Sequence, residues 1–151
     1  MNPSLWLHIG LISMGFLSLV LAVGSAFMYL LQSAEIKSKH PGKIFLKLPS
    51  LETLDKIHFK SLVWGVFLFS LGILTGLLRA KSSHELRQIL KDPTVVLSLV
   101  TCFMYWVILT VRFSALRRGQ KIALGTVLVF ALLFLTFLTG NIAPTVFHRG
   151  F

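Results

Sequence analysis

Four runs of the sequence, Leu5 to Leu31, Ser61 to Leu78, Thr94 to Val111 and Ile122 to Leu138, contain no Asp, Glu, Lys or Arg. A helix needs about 20 apolar residues to cross the hydrocarbon layer of a bilayer. The runs are of that order, and the fold expected from them is all-α: an integral membrane four-helix bundle. It forms a single transmembrane domain over residues 1–151, with spans at about 5–31, 61–78, 94–111 and 122–138. Composition agrees, since 55% of residues are apolar and the mean hydropathy is +0.81, values of a lipid-solvated chain rather than a water-solvated one. The first run is longer than the apolar region of a signal peptide and lacks its basic leader and small-residue cleavage site, so it is read as a retained span.

Between the spans lie polar connections. Gln32 to Lys60 carries six lysines and the breakers Pro41-Gly42 and Pro49, and reads as a surface loop. A short helix is expected within SLETLDKIHF, with Ser50 as its cap and Glu52 and Asp55 favouring its first turns. In RAKSSHELRQILKDP, a short amphipathic helix from Ser83 to Leu90 would gather Leu86, Ile89 and Leu90 on one face and lie along the membrane surface. Gly72 and Gly76 form a GxxxG pair that lets another helix approach closely; packing within the same bundle is favoured over a dimer face.

Charge then gives an orientation. The net charge of +10 comes from 15 Lys+Arg against 5 Asp+Glu, and these bases sit between apolar runs, where membrane proteins keep them; no nucleic acid is expected as partner. The first and third connections hold ten of the basic residues, against five for the opposite face. The positive-inside rule therefore puts those two connections in the cytoplasm and both termini on the non-cytoplasmic side.

Chemistry is sparse. Span interiors without charge argue against a pump or ion-coupled transporter. The acids lie in two connections on opposite faces, so no paired-carboxylate or Ser/His/Asp set assembles, and the chain is not expected to be an enzyme. Cys102 is the only cysteine, which excludes an intrachain disulfide or CxxC pair. Histidine remains. His40, His58 and His84 fall in polar connections and read as solvated surface residues. His8 lies at the outer end of span one and His148 ten residues beyond span four, on the same face under the expected topology. Two imidazoles at one leaflet, with Trp6, Phe147 and Phe151 nearby, suit axial ligation of haem iron; the plainer alternative is that they anchor the chain among lipid headgroups.

The segment LPSLETLDKIHFKSLVWGVFLFSLGILTGLLRA, Leu48 to Ala80, resembles the CcsA/HemX-like cytochrome c assembly family, in which a Leu-Pro-Ser-Leu-x-x-Leu-Asp stretch precedes a span with regularly placed glycines. The likeness takes in the His-led opening WLHIGLISMGFLSLVLAVGSAFMYLLQSAEIK, DPTVVLSLVTCFMYWVILTVR, the basic turn RRGQKIALG and the ending GNIAPTVFH. The resemblance implies that His8 and His148 match the family's two external haem-ligating histidines, hence haem as cofactor and haem iron as the metal. It also implies a bacterial inner membrane location and a binding role in cytochrome c assembly or haem biosynthesis.

The chain is a reduced member by this comparison. The family's tryptophan-rich motif is here HELRQILKDP, keeping only Asp92 and Pro93, and the histidine of its Leu-His-x-Arg motif is replaced by Thr110 between Leu109 and Arg112. These losses keep open a second reading, a non-haem structural or regulatory membrane subunit that contacts a cytoplasmic partner through Gln32 to Lys60. Membrane lipid, and a protein partner or a homo-oligomer that completes the cavity, are the partners expected.

Overall fold

The computed structural model describes residues 3–38, 49–78, 87, 89–115 and 119–142. Among them the chain forms four helices and no strand: α1 (Pro3–Ser38), α2 (Leu51–Leu77), α3 (Pro93–Ala115) and α4 (Gln120–Ile142). Each helix packs on its sequence neighbours and α4 closes on α1; the α1–α2 seam is the most intimate and the α2–α3 seam the loosest.

Local chemistry explains the helix starts. Pro3 opens α1, where a missing N–H costs nothing. The Ser50 hydroxyl caps α2 by accepting from the Thr53 N–H at 3.3 Å, with Glu52 in the first turn. Asp92 caps α3, its Oδ1 accepting from the Thr94 N–H at 2.9 Å, and Pro93 follows as the first helical residue. Gly119, at φ +133°, turns the chain into α4, and its carbonyl accepts from Ile122 and Ala123.

Two boundaries differ from the sequence expectation. α1 does not stop near Leu31 but runs to Ser38, 36 residues or about 54 Å, well beyond the roughly 30 Å of hydrocarbon. Its polar end has partners: Gln120 Nε2 donates to Ser33 Oγ at 2.7 Å, and Lys37 Nζ donates to Gln120 Oε1. The short helix expected in SLETLDKIHF is not separate; it is the first part of α2. Leu54, His58, Leu62, Gly65, Val66, Phe69, Gly72 and Gly76 form one unbroken buried stripe at helical spacing, and nothing between Leu51 and Leu77 interrupts it. The expected Ser83–Leu90 helix lies largely outside the described residues; Arg87 and Ile89 are helical.

The core draws on all four helices: Leu19 and Ala22, Leu62, Val66 and Phe69, Tyr105 and Leu109, and Leu133. Large apolar side chains also cover the outside, among them Met14, Leu21, Trp64, Phe67, Phe103, Phe113, Leu128 and Phe134. So much exposed apolar surface suits lipid and not water. Leu5–Ser38, Leu51–Leu77 and Pro93–Ser114 are each long and apolar enough to cross a membrane, and α4 is apolar over Gln120–Thr136. The protein is a multi-pass membrane protein.

The GxxxG glycines are used inside the bundle. A Cβ at Gly72 would lie 2.8 Å from Ile12 Cδ1, and one at Gly76 would lie 2.8 Å from His8 Cε1. Gly65 and Gly15 serve the same seam, meeting Leu19 and the Phe69 backbone. These close approaches bring the imidazole of His8 against α2.

Candidate functional site

His8, Ile12, Gly15 and Leu19 follow one another at helical spacing down the face of α1 that meets α2. At the upper end of that stripe the His8 Nδ1 lies 2.7 Å from the Gly72 carbonyl oxygen and 3.4 Å from Thr75 Oγ1. A carbonyl can only accept, so Nδ1 carries a proton, and in the neutral ring Nε2 is the nitrogen with the lone pair. Gly72 bonds its own helix as well, since its carbonyl also accepts from the Thr75 hydroxyl at 2.8 Å. Among the described residues, the hydrogen bonds of this imidazole are all at Nδ1.

The ring forms part of the wall of a half-open cavity of about 160 Å³. Ile12 from α1, Ile73, Gly76 and Leu77 from α2, and Ile89 and Val95 near the start of α3 make the lining mostly apolar. Asp92, Thr94 and Ser98 contribute the polar atoms, and Asp92 is buried with one oxygen committed to its cap. The loose α2–α3 seam therefore opens into a pocket with one imidazole of fixed tautomer. That nitrogen lone pair can coordinate a metal or accept a hydrogen bond.

His148 lies outside the described residues, as do His40 and His84. The structure thus brings His8 together with the α2 glycines and the start of α3. Among the described residues no group of three or more His, Cys, Asp or Glu is placed to hold a metal.

His58 overturns the surface reading made from its sequence neighbours. It is 2% exposed, because the seven residues after the start of α2 turn it onto the buried stripe between Leu54 and Leu62. Arg112 Nη1 donates to its Nδ1 at 3.2 Å, and its Nε2 lies 3.0 Å from Thr126 Oγ1. Guanidinium has only donors, so Nδ1 must accept and Nε2–H must donate to Thr126, whose hydroxyl in turn donates to the Ile122 carbonyl at 3.0 Å. Arg112 also pairs with Asp55 Oδ1 at 2.9 Å and lies 4.7 Å over the Phe59 ring. With both nitrogens engaged, His58 is a tie between α2, α3 and α4, not a ligand. The spacing Leu54-His58-Leu62 was the available signal.

Thr110 and Cys102 carry less. Thr110 is exposed, and its hydroxyl bonds the Val107 carbonyl of its own helix at 2.9 Å. Cys102 Sγ lies 3.2 Å from Ser70 Oγ, which also accepts from Trp106 Nε1 at 3.0 Å. Tyr105 is fully buried, and its hydroxyl has no hydrogen-bond partner among the described residues.

No curated protein and no solved structure gives a significant match to this chain. The family described as cytochrome c assembly protein matches residues 1–148, nearly the whole sequence, and the chain belongs to that family, with a role in cytochrome c biogenesis.

Proposed function

We propose that the protein is a haem-associated membrane accessory of cytochrome c assembly or haem biosynthesis, with His8 as one axial ligand and His148 as the other. One observation carries this reading: the Gly72 carbonyl holds the Nδ1–H of His8, a ring that lines an apolar-walled cavity and whose Nε2 has no hydrogen-bond partner among the described residues. Haem ligands are commonly oriented in this way, by a backbone acceptor at the second ring nitrogen. The described residues fit the group on one side: His8 offers the lone pair, and Ile73, Leu77 and Val95 offer apolar contact. The cavity is much smaller than a porphyrin, so it would take an edge of the ring while the rest lay at the open mouth. When bound, haem supplies an iron centre and the chain's own residues bind, orient and shield it. The role is binding and not catalysis.

On this reading the chain resides in a bacterial inner membrane, with both termini on the non-cytoplasmic side. A protein partner or a second copy covers the open side of the cavity, with lipid around the rest. Absorption spectra of the purified protein test the ligands. A Soret band in the wild type that shifts or fades in His8→Ala and in His148→Ala is the expected result. An unchanged band in both variants, or none in the wild type, removes the assignment.

The exposed, self-bonded Thr110 favours a second reading, because it leaves no ligand at the position of the family's intramembrane histidine. In that reading the protein is a structural or regulatory subunit without haem that meets a cytoplasmic partner through its basic Gln32 to Lys60 segment. Replacing Lys37, Lys39, Lys43 and Lys47 by Gln should then abolish co-purification of that partner, and retention of every partner counts against it.

A further inference from the structure

Gly76 is the residue that makes room for His8. A Cβ built there would fall 2.8 Å from Cε1 of the imidazole, closer than real side-chain contacts allow, and 3.2 Å from Nδ1, a tight contact. The ring can yield only at the expense of its hydrogen bond, because its Nδ1 is held 2.7 Å from the Gly72 carbonyl one turn away on the same helix. Any methyl at position 76 must therefore displace the ring from that carbonyl, releasing both its tautomer and its direction. Gly24, on α1, has nothing within 4 Å of its own built Cβ and supplies the contrast.

We infer that Gly76 is a positioning residue for His8: its missing side chain seats the imidazole on the Gly72 carbonyl and so presents Nε2 to the cavity as a ligand. The seat is a feature of the chain; its use by haem iron rests on the function proposed above. Gly76 also lines the cavity, and a double-mutant cycle with His8 separates that contribution from its action through the imidazole.

Two measurements on the full chain in detergent micelles or nanodiscs test this. The first is haem-free: ¹⁵N spectra of labelled histidine at a pH roughly two units above the usual imidazole value near 6.5. Wild type should show His8 protonated at Nδ1 with a bare Nε2, and Gly76→Ala should lose that signature while Gly24→Ala keeps it. The second is titration with haem in a double-mutant cycle. Gly76→Ala should weaken binding roughly 10–100-fold, the usual cost of losing an outer contact to a ligand. The same change in a His8→Ala background should add nothing further, since the methyl then enters the space the ring vacated. An equal loss in both backgrounds shows a general packing effect and overturns the inference, as does a His8 spectrum indifferent to Gly76→Ala. A wild-type chain that shows the Nδ1–H signature, loses it in Gly76→Ala and binds no haem upholds the positioning and removes the haem ligand reading.

Discussion

His58 and Thr110 lie in opposite surroundings from those their sequence neighbours suggest. His58 sits between Lys56 and Lys60, yet it is buried and hydrogen-bonded at both nitrogens; Thr110 sits in an apolar run, yet it faces outward. In a bilayer, hydropathy reports depth along the normal and says little about which side of a helix faces protein. Helical spacing does report it, and the buried stripe through Leu54, His58 and Leu62 was legible on that ground. Thr126 is where the tie can be cut with least disturbance, because valine keeps its shape and removes the acceptor for His58 Nε2. Thr126→Val should cost about 0.5–2 kcal/mol, the range for a hydrogen bond within a membrane bundle. Thr110→Val, which gives up only a bond to its own helix, should stay within about 0.5 kcal/mol. Reversible unfolding in mixed micelles measures both, and equal costs would show that the His58 bond contributes nothing to the fold.

Among the helices, the sequence marked the spans by absence of charge, but it placed the ends of α1 and α2 too early and too late. Polar residues such as Gln32 and Ser33, or Glu52 and Lys56, mark where hydrocarbon ends; the helix persists because its backbone hydrogen bonds survive in water and nothing breaks it. The breakers Pro41-Gly42 and Pro49 were the better signal of helix ends, since both fall between Ser38 and Leu51. The glycine seam was half legible. Gly72 and Gly76 announce themselves by spacing within one helix, whereas Gly15 and Gly65 matter only once α1 and α2 are set in register. A Cβ at Gly15 would lie 2.7 Å from the Phe69 backbone nitrogen and 3.0 Å from its Cα, atoms that cannot rotate aside. Gly15→Ala should therefore part the two helices and destabilise by about 1–3 kcal/mol, the overpacking range. Gly10→Ala, with open space around it, should be neutral or gain up to about 1 kcal/mol of helix propensity. Denaturant unfolding of the two variants decides, and a neutral Gly15→Ala would mean the seam tolerates separation.

Over the whole molecule the two ends of the bundle are built differently. At the Arg112 end, Asp55, His58 and Thr126 tie α2, α3 and α4 together, and Ser33 with Gln120 ties α1 to α4. At the His8 end, α1 and α2 are locked by glycine packing and one imidazole bond, while α2 and α3 diverge around the cavity. A bundle braced at one end and open at the other leaves room at the open end that the ties of the braced end do not cross. His8 was visible in the sequence as a titratable residue at a span end; the cavity was not, because it depends on how far α3 stands from α2. Val95 lines that cavity from α3 and is half-buried, so a tryptophan there would occupy the space beside His8 with its excess volume directed into a void. Val95→Trp should lower haem affinity by at least about tenfold, as loss of a supporting contact does. Its melting temperature should change little, because overpacking is costly only where atoms already fill the space. Val107→Trp, on the exposed face of the same helix, should leave both quantities unchanged. Haem titration and thermal unfolding of the two variants side by side separate the possibilities. If Val95→Trp binds haem as the wild type does, the cavity beside His8 is not where the macrocycle rests.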